Sequence, residues 1–229
     1  MRIGGIQRSS LVDYPGKVCA VIFTQGCNFR CPYCHNPQLV EPSLFEQPLD
    51  VADVLSFLES RVGCLNGVVV SGGEPLLHGD LLDLLARVRS LGFPVKLDTN
   101  GSLPERLQTA IDERLVDFVA MDIKAPFSKY PEIAGVQMDI GTIGASIRII
   151  RESGINHQFR TTASAFLDAD DYLNIRQLCG HTPHYIVQTM NKYSAMPDAF
   201  QYLRGEQKLQ GGRYQASAVI NPCHKELCN

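Results

Sequence analysis

Cys27, Cys31 and Cys34 stand in the run Gly26-Cys27-Asn28-Phe29-Arg30-Cys31-Pro32-Tyr33-Cys34-His35-Asn36, a Cys-x3-Cys-x2-Cys spacing directly after an apolar stretch. Thiolates are strong ligands for iron-sulfur clusters and for zinc, and two short spacings let one loop bend around a compact metal centre. Ordinary clusters take four cysteines. No fourth cysteine lies at a matching short distance. A three-cysteine cluster would therefore keep one iron open to an exchangeable ligand, as catalytic zinc sites keep one position open. The alternative is a structural zinc site completed by His35 or by Cys64. Adjacent Cys34 and His35 are hard to aim at one metal, and a closed zinc site would leave the motifs below without a role.

Three further stretches carry chemistry. Gly72-Gly73-Glu74-Pro75 follows a β-branched run, and its missing side chains let backbone approach a ligand closely, although a Gly-Gly pair alone is an ordinary turn signal. Asp98-Thr99-Asn100-Gly101 and Met121-Asp122-Ile123-Lys124 each put a carboxylate at a strand end. Two carboxylates on one rim repel unless a cation or a proton lies between them, and Lys124 is suited to a substrate carboxylate. Taken singly, each is also what a solvated strand end looks like. Arg160 and Gln188 fall near the ends of the last two strands, where they would either touch a nucleoside or cap the rim.

The cysteine loop, with Tyr33 in its aromatic position, resembles that of the radical S-adenosylmethionine (SAM) superfamily. The resemblance implies a 4Fe-4S cluster on Cys27, Cys31 and Cys34 whose open iron takes the amino and carboxylate groups of SAM, and whose reduction yields a 5′-deoxyadenosyl radical. It implies that Tyr33, Gly72, Gly73, Glu74, Pro75, Asp98, Asn100, Lys124, Arg160 and Gln188 border the cofactor. Gly72 to Pro75 would meet the methionine amino group and Lys124 the carboxylate. The two acidic motifs are similar to those of glycyl-radical-enzyme activases. By that likeness Asp98, Thr99, Met121 and Asp122 would cradle a monovalent cation.

The elements that must position these residues alternate from end to end. Strands are predicted at 18–24, 67–71, 94–99, 117–123, 157–163 and 185–189. Helices are predicted at 51–62, where Val51, Val54, Leu55 and Leu58 keep a helical period behind Asp50 as N-cap, and at 80–91, 104–115, 140–153 and 170–179. Parallel strands need crossover connections, so the pattern reads as an α/β fold. A closed eight-stranded barrel takes about 250 residues. Six units in 229 residues point to an incomplete parallel (β/α)6 barrel preceded by a short N-terminal hairpin, with an open doubly wound sheet as the main alternative. Either architecture gathers the motifs at the C-terminal ends of the strands. The barrel is assigned to 1–190, and 191–229 to an extension of unassigned role.

Composition narrows the partners. A hydrophobic content of 45% supports a sizeable core, and a formal charge of −3 without basic runs argues against nucleic acid. No apolar stretch reaches the roughly 18 residues of a membrane span, and Met1-Arg2-Ile3-Gly4-Gly5 lacks a signal-peptide core, so a cytoplasmic protein is expected. Of eight cysteines, Cys19, Cys64 and Cys179 are expected to be small buried residues. Cys223 and Cys228 lie with His224 in a polar tail. His78, His157, His181 and His184 show no metal spacing.

The stretch Ile6 to Val18, with Asp13-Tyr14-Pro15-Gly16, is similar to the leader of activating proteins for anaerobic ribonucleoside-triphosphate reductase; pyruvate formate-lyase activases more often show Asp-Gly-Pro-Gly there. The 35–66 interval leaves no room for the ferredoxin-like insert of larger activases. The resemblance thus implies hydrogen abstraction from a glycine of a partner enzyme, fed by a flavodoxin- or ferredoxin-like electron donor. An activase of another glycyl radical enzyme, of the pyruvate formate-lyase type, a radical synthase acting on a small molecule, such as a 7-carboxy-7-deazaguanine synthase, and a non-catalytic metal-binding module are the competing readings.

Overall fold

A computed structural model of the chain describes residues 1–180 and 182–189; His181 and the 191–229 extension with Cys223, His224 and Cys228 lie outside the described residues. The chain opens with β1 (Ile3–Ser10) and β2 (Cys19–Thr24), paired antiparallel from Ile3 opposite Thr24 to Ser10 opposite Cys19. Gly16, at a φ of 72°, turns the connection. This is the expected hairpin, and its first strand is longer than the sequence pattern shows.

From β2 onward strands and helices alternate: α1 (Val51–Glu59), β3 (Gly67–Gly72), α2 (Leu81–Ser90), β4 (Val95–Thr99), α3 (Pro104–Asp112) and β5 (Phe118–Asp122), then α4 (Tyr130–Ala134), α5 (Ile140–Ser153), β6 (Asn156–Thr162), α6 (Ala169–Leu178) and β7 (Tyr185–Gln188). All pairings from β2 to β7 are parallel, and the strand order is simply β1 to β7. Sequential order with right-handed crossovers puts every helix on the same side of the sheet. A doubly wound sheet would reverse its order at a switch point. Among the described residues the sheet is therefore a curved, unclosed parallel barrel with the hairpin strand at one edge.

Local chemistry explains most boundaries. The Asp50 carboxylate accepts from the Ala52 N–H and caps α1, and Asp139 does the same for α5 through Gly141. Asp168 and Asp171 form a reciprocal capping box on α6. Pro104 opens α3, which stops at Asp112 rather than near 115 because Arg114 turns left-handed, at a φ of 55°. α1 likewise ends before the expected Val62, in a turn where the Cys64 N–H reaches Arg61 O at 2.9 Å. Cys64 consequently sits exposed at a turn, not buried as expected, whereas Cys19 and Cys179 are buried. α4, five residues containing Pro131, is too short to show in the periodicity.

Alternation along the strands gives the sheet two different faces. Ala20, Ile22, Val68, Val70, Val95, Leu97, Val119 and Met121 face the helices and pack with Leu58, Leu85, Leu107 and Ile147 into the main core. The concave face is apolar at its base, where Tyr14, Cys19, Val21 and Val69 cluster. Above them it becomes polar, and this is where the site lies. No helix among the described residues is long and apolar enough to cross a membrane.

Candidate active site

A cavity of about 270 Å³ on the concave side gathers nearly all of the expected residues: Cys27, Cys31, Tyr33, Cys34, Gly72, Gly73, Asp98, Thr99, Asn100, Asp122, Lys124, Arg160 and Gln188 all border it. Glu74, Pro75 and Met121 do not.

The cysteine loop leaves β2 through Gly26, at a φ of 103°, whose N–H donates to Leu39 O at 2.7 Å. Arg30 braces the loop: Nη1 donates to Cys27 O at 2.7 Å and Phe29 O at 2.8 Å, and its N–H to Ala134 O at 2.7 Å. All three thiols are free. Burial pushes the Cys27 thiol up to about 11 and Cys31 to about 12. Without metal both are thiols near neutrality, so loading a metal must release their protons. The donor set suits a cluster: three soft sulfurs on one cavity wall, with none of the other described cysteines bordering it. Cys64, exposed on its turn, does not border the cavity and offers no fourth thiol there, whereas His35 borders it beside the three cysteines.

The glycine loop sits against the cysteine loop, backbone to backbone. Gly73 N donates to Thr24 O at 2.9 Å and Glu74 N to Gly26 O at 2.8 Å; a Cβ on Gly73 would stand 2.0 Å from Gly26 O. Glu74 is 0% exposed and points away from the cavity. Its carboxylate accepts from Leu76 N at 3.0 Å, Thr99 Oγ1 at 2.9 Å and Asn100 N at 2.6 Å. Burial raises this carboxyl to about 7 against the pull of those three donors. Glu74 is thus the tie between the glycine loop and the Asp-Thr-Asn-Gly turn. Asn100 extends the tie, donating from Nδ2 to Asn28 Oδ1 at 2.9 Å in the cysteine loop.

Strand parity sorts the acidic motifs. Asp98 and Asp122 project to the concave side. The Thr99 hydroxyl turns to Glu74, and Met121 lies in the helix-side core beneath Gly101. Arg160 stands between the two carboxylates, Nη1 to Asp98 at 3.2 Å and Nε to Asp122 at 2.8 Å. Lys124 Nζ reaches Asp122 at 3.0 Å, Ser71 Oγ donates to Asp98 at 3.2 Å, and Lys96 Nζ bonds the other Asp98 oxygen. Burial alone would raise the Asp122 carboxyl; Arg160 and Lys124 instead hold it well below the usual range. Lys124, whose burial alone would lower it, is held well above the ordinary lysine value by Asp122. Tyr33 closes this corner, its hydroxyl donating to Lys124 O at 3.2 Å.

Sequence reasoning missed Lys96, Ser71 and Asp13. Lys96 shares the parity of Asp98 on β4, and a lysine inside an otherwise apolar strand was the available signal. Asp13, which also borders the cavity, lies in the turn after β1. Only the Asp-Tyr-Pro-Gly run marked it.

The model of the Radical SAM superfamily matches residues 21–192. A candidate glycyl-radical enzyme activating enzyme from Methanocaldococcus jannaschii is 33% identical over 207 residues, covering 88% of this chain and 85% of that protein. A 7-carboxy-7-deazaguanine synthase from Methanopyrus kandleri is 36% identical over 132 residues, 49% of this chain and 52% of the relative. A pyruvate formate-lyase-activating enzyme from Staphylococcus aureus is 35% identical over 130 residues, 52% of this chain and 51% of the relative. The chain therefore matches only about half the length of the last two. Among solved structures, Streptococcus suis SuiB bound to S-adenosylmethionine aligns with a TM-score of 0.60 at 16% identity, over 75% of this chain and 40% of that one. AdoMet-bound anSMEcpe aligns at 0.57 and 15% identity, over 73% and 50%. At these identities the likeness is one of fold.

Proposed function

The chain belongs to the radical SAM superfamily, and from that premise we propose that it is a glycyl-radical-enzyme activase that removes a glycine α-hydrogen from a partner protein. The observation that carries this reading is one cavity shared by three thiols, a side-chain-free glycine loop and the cationic groups of Lys124 and Arg160, on the concave side of a barrel that the described strands leave unclosed. A closed barrel suits a small metabolite; an unclosed one has room for a peptide loop.

In this reading Cys27, Cys31 and Cys34 hold a 4Fe-4S cluster, which when bound supplies the electron that splits SAM. The protein supplies binding and orientation. Gly72 and Gly73 let backbone approach the methionine part of SAM, and Lys124 offers its ammonium to the carboxylate. Tyr33 fixes the wall beneath them through Lys124 O. Asn100 keeps the turn and the cysteine loop in register, while Glu74 and Pro75 support the glycine loop from below. Arg160 and Gln188 face the nucleoside end. Asp98 acts through Arg160 and Lys96 rather than as a free carboxylate.

The partner we propose is anaerobic ribonucleoside-triphosphate reductase, on the resemblance of the Ile6 to Val18 leader, with a flavodoxin- or ferredoxin-like protein as reductant. Free thiols at the site fit a reducing cytoplasm. The match to a deazaguanine synthase over about half the chain supports a second reading, a small-molecule synthase. Anaerobic reconstitution with iron and sulfide, followed by reductant and SAM, tests the enzyme: 5′-deoxyadenosine is the expected product, and its absence rejects both readings. Adding the reductase should give a glycyl radical signal by electron paramagnetic resonance. Turnover coupled to a deazapurine precursor, with no such signal, selects the synthase.

A further inference from the structure

The polar ladder on the concave face contains a cation buried away from the cavity. Lys96 is 1% exposed in the middle of β4, between Val95 and Leu97, which face the helices. It does not border the cavity. Its ammonium bonds Asp98 Oδ1 from below, while Ser71 and Arg160 bond Oδ2. On Asp122, Arg160 takes Oδ1 and Lys124 takes Oδ2. Three cations thus face two carboxylates, and every carboxylate oxygen already has a donor. Asp13, the other carboxylate at the cavity, is bonded by Ser10 Oγ in the loop before β2 and is not hydrogen-bonded to the ladder.

This arrangement does not fit the monovalent cation that Asp98, Thr99, Met121 and Asp122 were expected to hold. The Thr99 and Met121 side chains turn away from the concave side, so these residues could add only main-chain carbonyls, and every oxygen of the two carboxylates already has a cationic donor. Another positive ion would enter beside three existing ones. We propose that Lys96 is a positioning residue that replaces the monovalent cation: its buried ammonium neutralises Asp98 from beneath. Arg160 can then span both carboxylates, and one surplus positive charge remains for an anionic ligand group. A bound alkali ion needs no side chain and exchanges with the medium; a lysine makes the site independent of salt.

The test is cation dependence, and its main readouts hold whether or not the protein is an activase. Equilibrium dialysis of the reconstituted protein against thallous ion, a potassium mimic, is expected to find none bound to the wild type. Lys96→Met, which removes the charge and keeps much of the volume, should bind thallous ion about tenfold or more tightly than the wild type. Its thermal midpoint should rise in potassium or sodium relative to tetramethylammonium at matched ionic strength, while the wild type stays unchanged. Lys96→Met/Asp98→Asn, uncharged at both positions, should fold and ignore the cation. A thallous ion on the wild type overturns the proposal, and so does a folded Lys96→Met that neither binds nor responds. If Lys96→Met folds in no salt, the double variant decides: recovery of folded protein supports a charge role, and failure there too assigns Lys96 to packing alone and overturns it.

Discussion

Arg160 Nε donates to Asp122 Oδ1 at 2.8 Å across the β5–β6 pair, where the two residues stand opposite one another in register. The same guanidinium reaches on to Asp98 at 3.2 Å, so one planar group ties three strands together at the cavity. Removing it leaves two poorly exposed carboxylates facing each other. Breaking a buried pair from one side costs about 3–5 kcal/mol. Because Lys96 and Lys124 still face the two carboxylates, Arg160→Ala is expected to lower the unfolding free energy by the lower end of that range, read from a denaturant titration. Arg160→Lys should recover only part of it, because one ammonium cannot form both bonds in the guanidinium's plane.

The expectations that held were those carried by strong local signals. Six strands, their connecting helices and the gathering of four motifs at one end of the sheet follow from alternation and caps such as Asp50, Asp139 and Pro104. What stayed hidden was long-range. Nothing local says that Glu74 turns under the loop to take three donors, because that depends on a turn 25 residues away. The Asp98–Arg160 pair spans 62 residues, so the positive charge between the carboxylates could not be identified as a side chain. That the Thr99 and Met121 side chains turn from the concave side was legible in principle: one step of strand parity separates each from its acidic neighbour. Cys64 was misplaced because the helix before it ends in a turn that the apolar period does not reveal.

Iron content separates the cluster reading from zinc. Each of Cys27→Ala, Cys31→Ala and Cys34→Ala is expected to lose most bound iron and sulfide after reconstitution. Cys64→Ala, on an exposed turn outside the cavity, should keep the wild-type amount. Because burial raises Cys27 to about 11 and Cys31 to about 12, assembly should release protons and become more favourable with rising pH. Full iron in all three variants, or zinc bound in preference by the wild type, would contradict the assignment.

Glu74 makes a distinct contribution to the pH dependence of stability. Its carboxyl lies at about 7 in the fold, against 4.5 for the unconstrained group. The unfolded chain therefore gives up its proton first, and stability contributed below pH 4.5 is lost as pH rises through about 7. The full loss is roughly 3 kcal/mol. Glu74→Gln is neutral at every pH, so its melting temperature should lack the fall that the wild type shows across this window. The slope is the readout, since the amide also sets an N–H against the Asn100 N–H and lowers stability throughout.

The contact between the glycine and cysteine loops can be tested by one methyl group. At Gly73 the added Cβ meets Gly26 O at 2.0 Å and Gly26 C at 2.6 Å, backbone atoms that cannot swing aside. Gly73→Ala is expected to force the loops apart, costing about 1–3 kcal/mol and most of the retained iron. Gly16→Ala is the control. Its φ of 72° makes alanine strained, but the Cβ meets nothing within 4 Å. It should lose only about 1–2 kcal/mol and keep its iron.

Lys124 gives the sharpest test of how the cavity reads its ligand. Its ammonium borders the cavity and is bonded to Asp122 at 3.0 Å, which keeps it protonated at any working pH. Lys124→Met should leave iron content intact, because the thiols are held by other loops, and weaken SAM. A charge-assisted bond is worth about 1.5–3 kcal/mol, so the loss should be roughly 10- to 100-fold in Kd. Decarboxylated SAM lacks the group that Lys124 is proposed to meet. It should bind the wild type and Lys124→Met with similar affinity, so that the variant and the missing carboxylate are coupled in a double-mutant cycle. If the variant instead weakens both ligands equally, Lys124 acts by holding Asp122 and Arg160 in place, and the carboxylate must be bound elsewhere on the cavity wall.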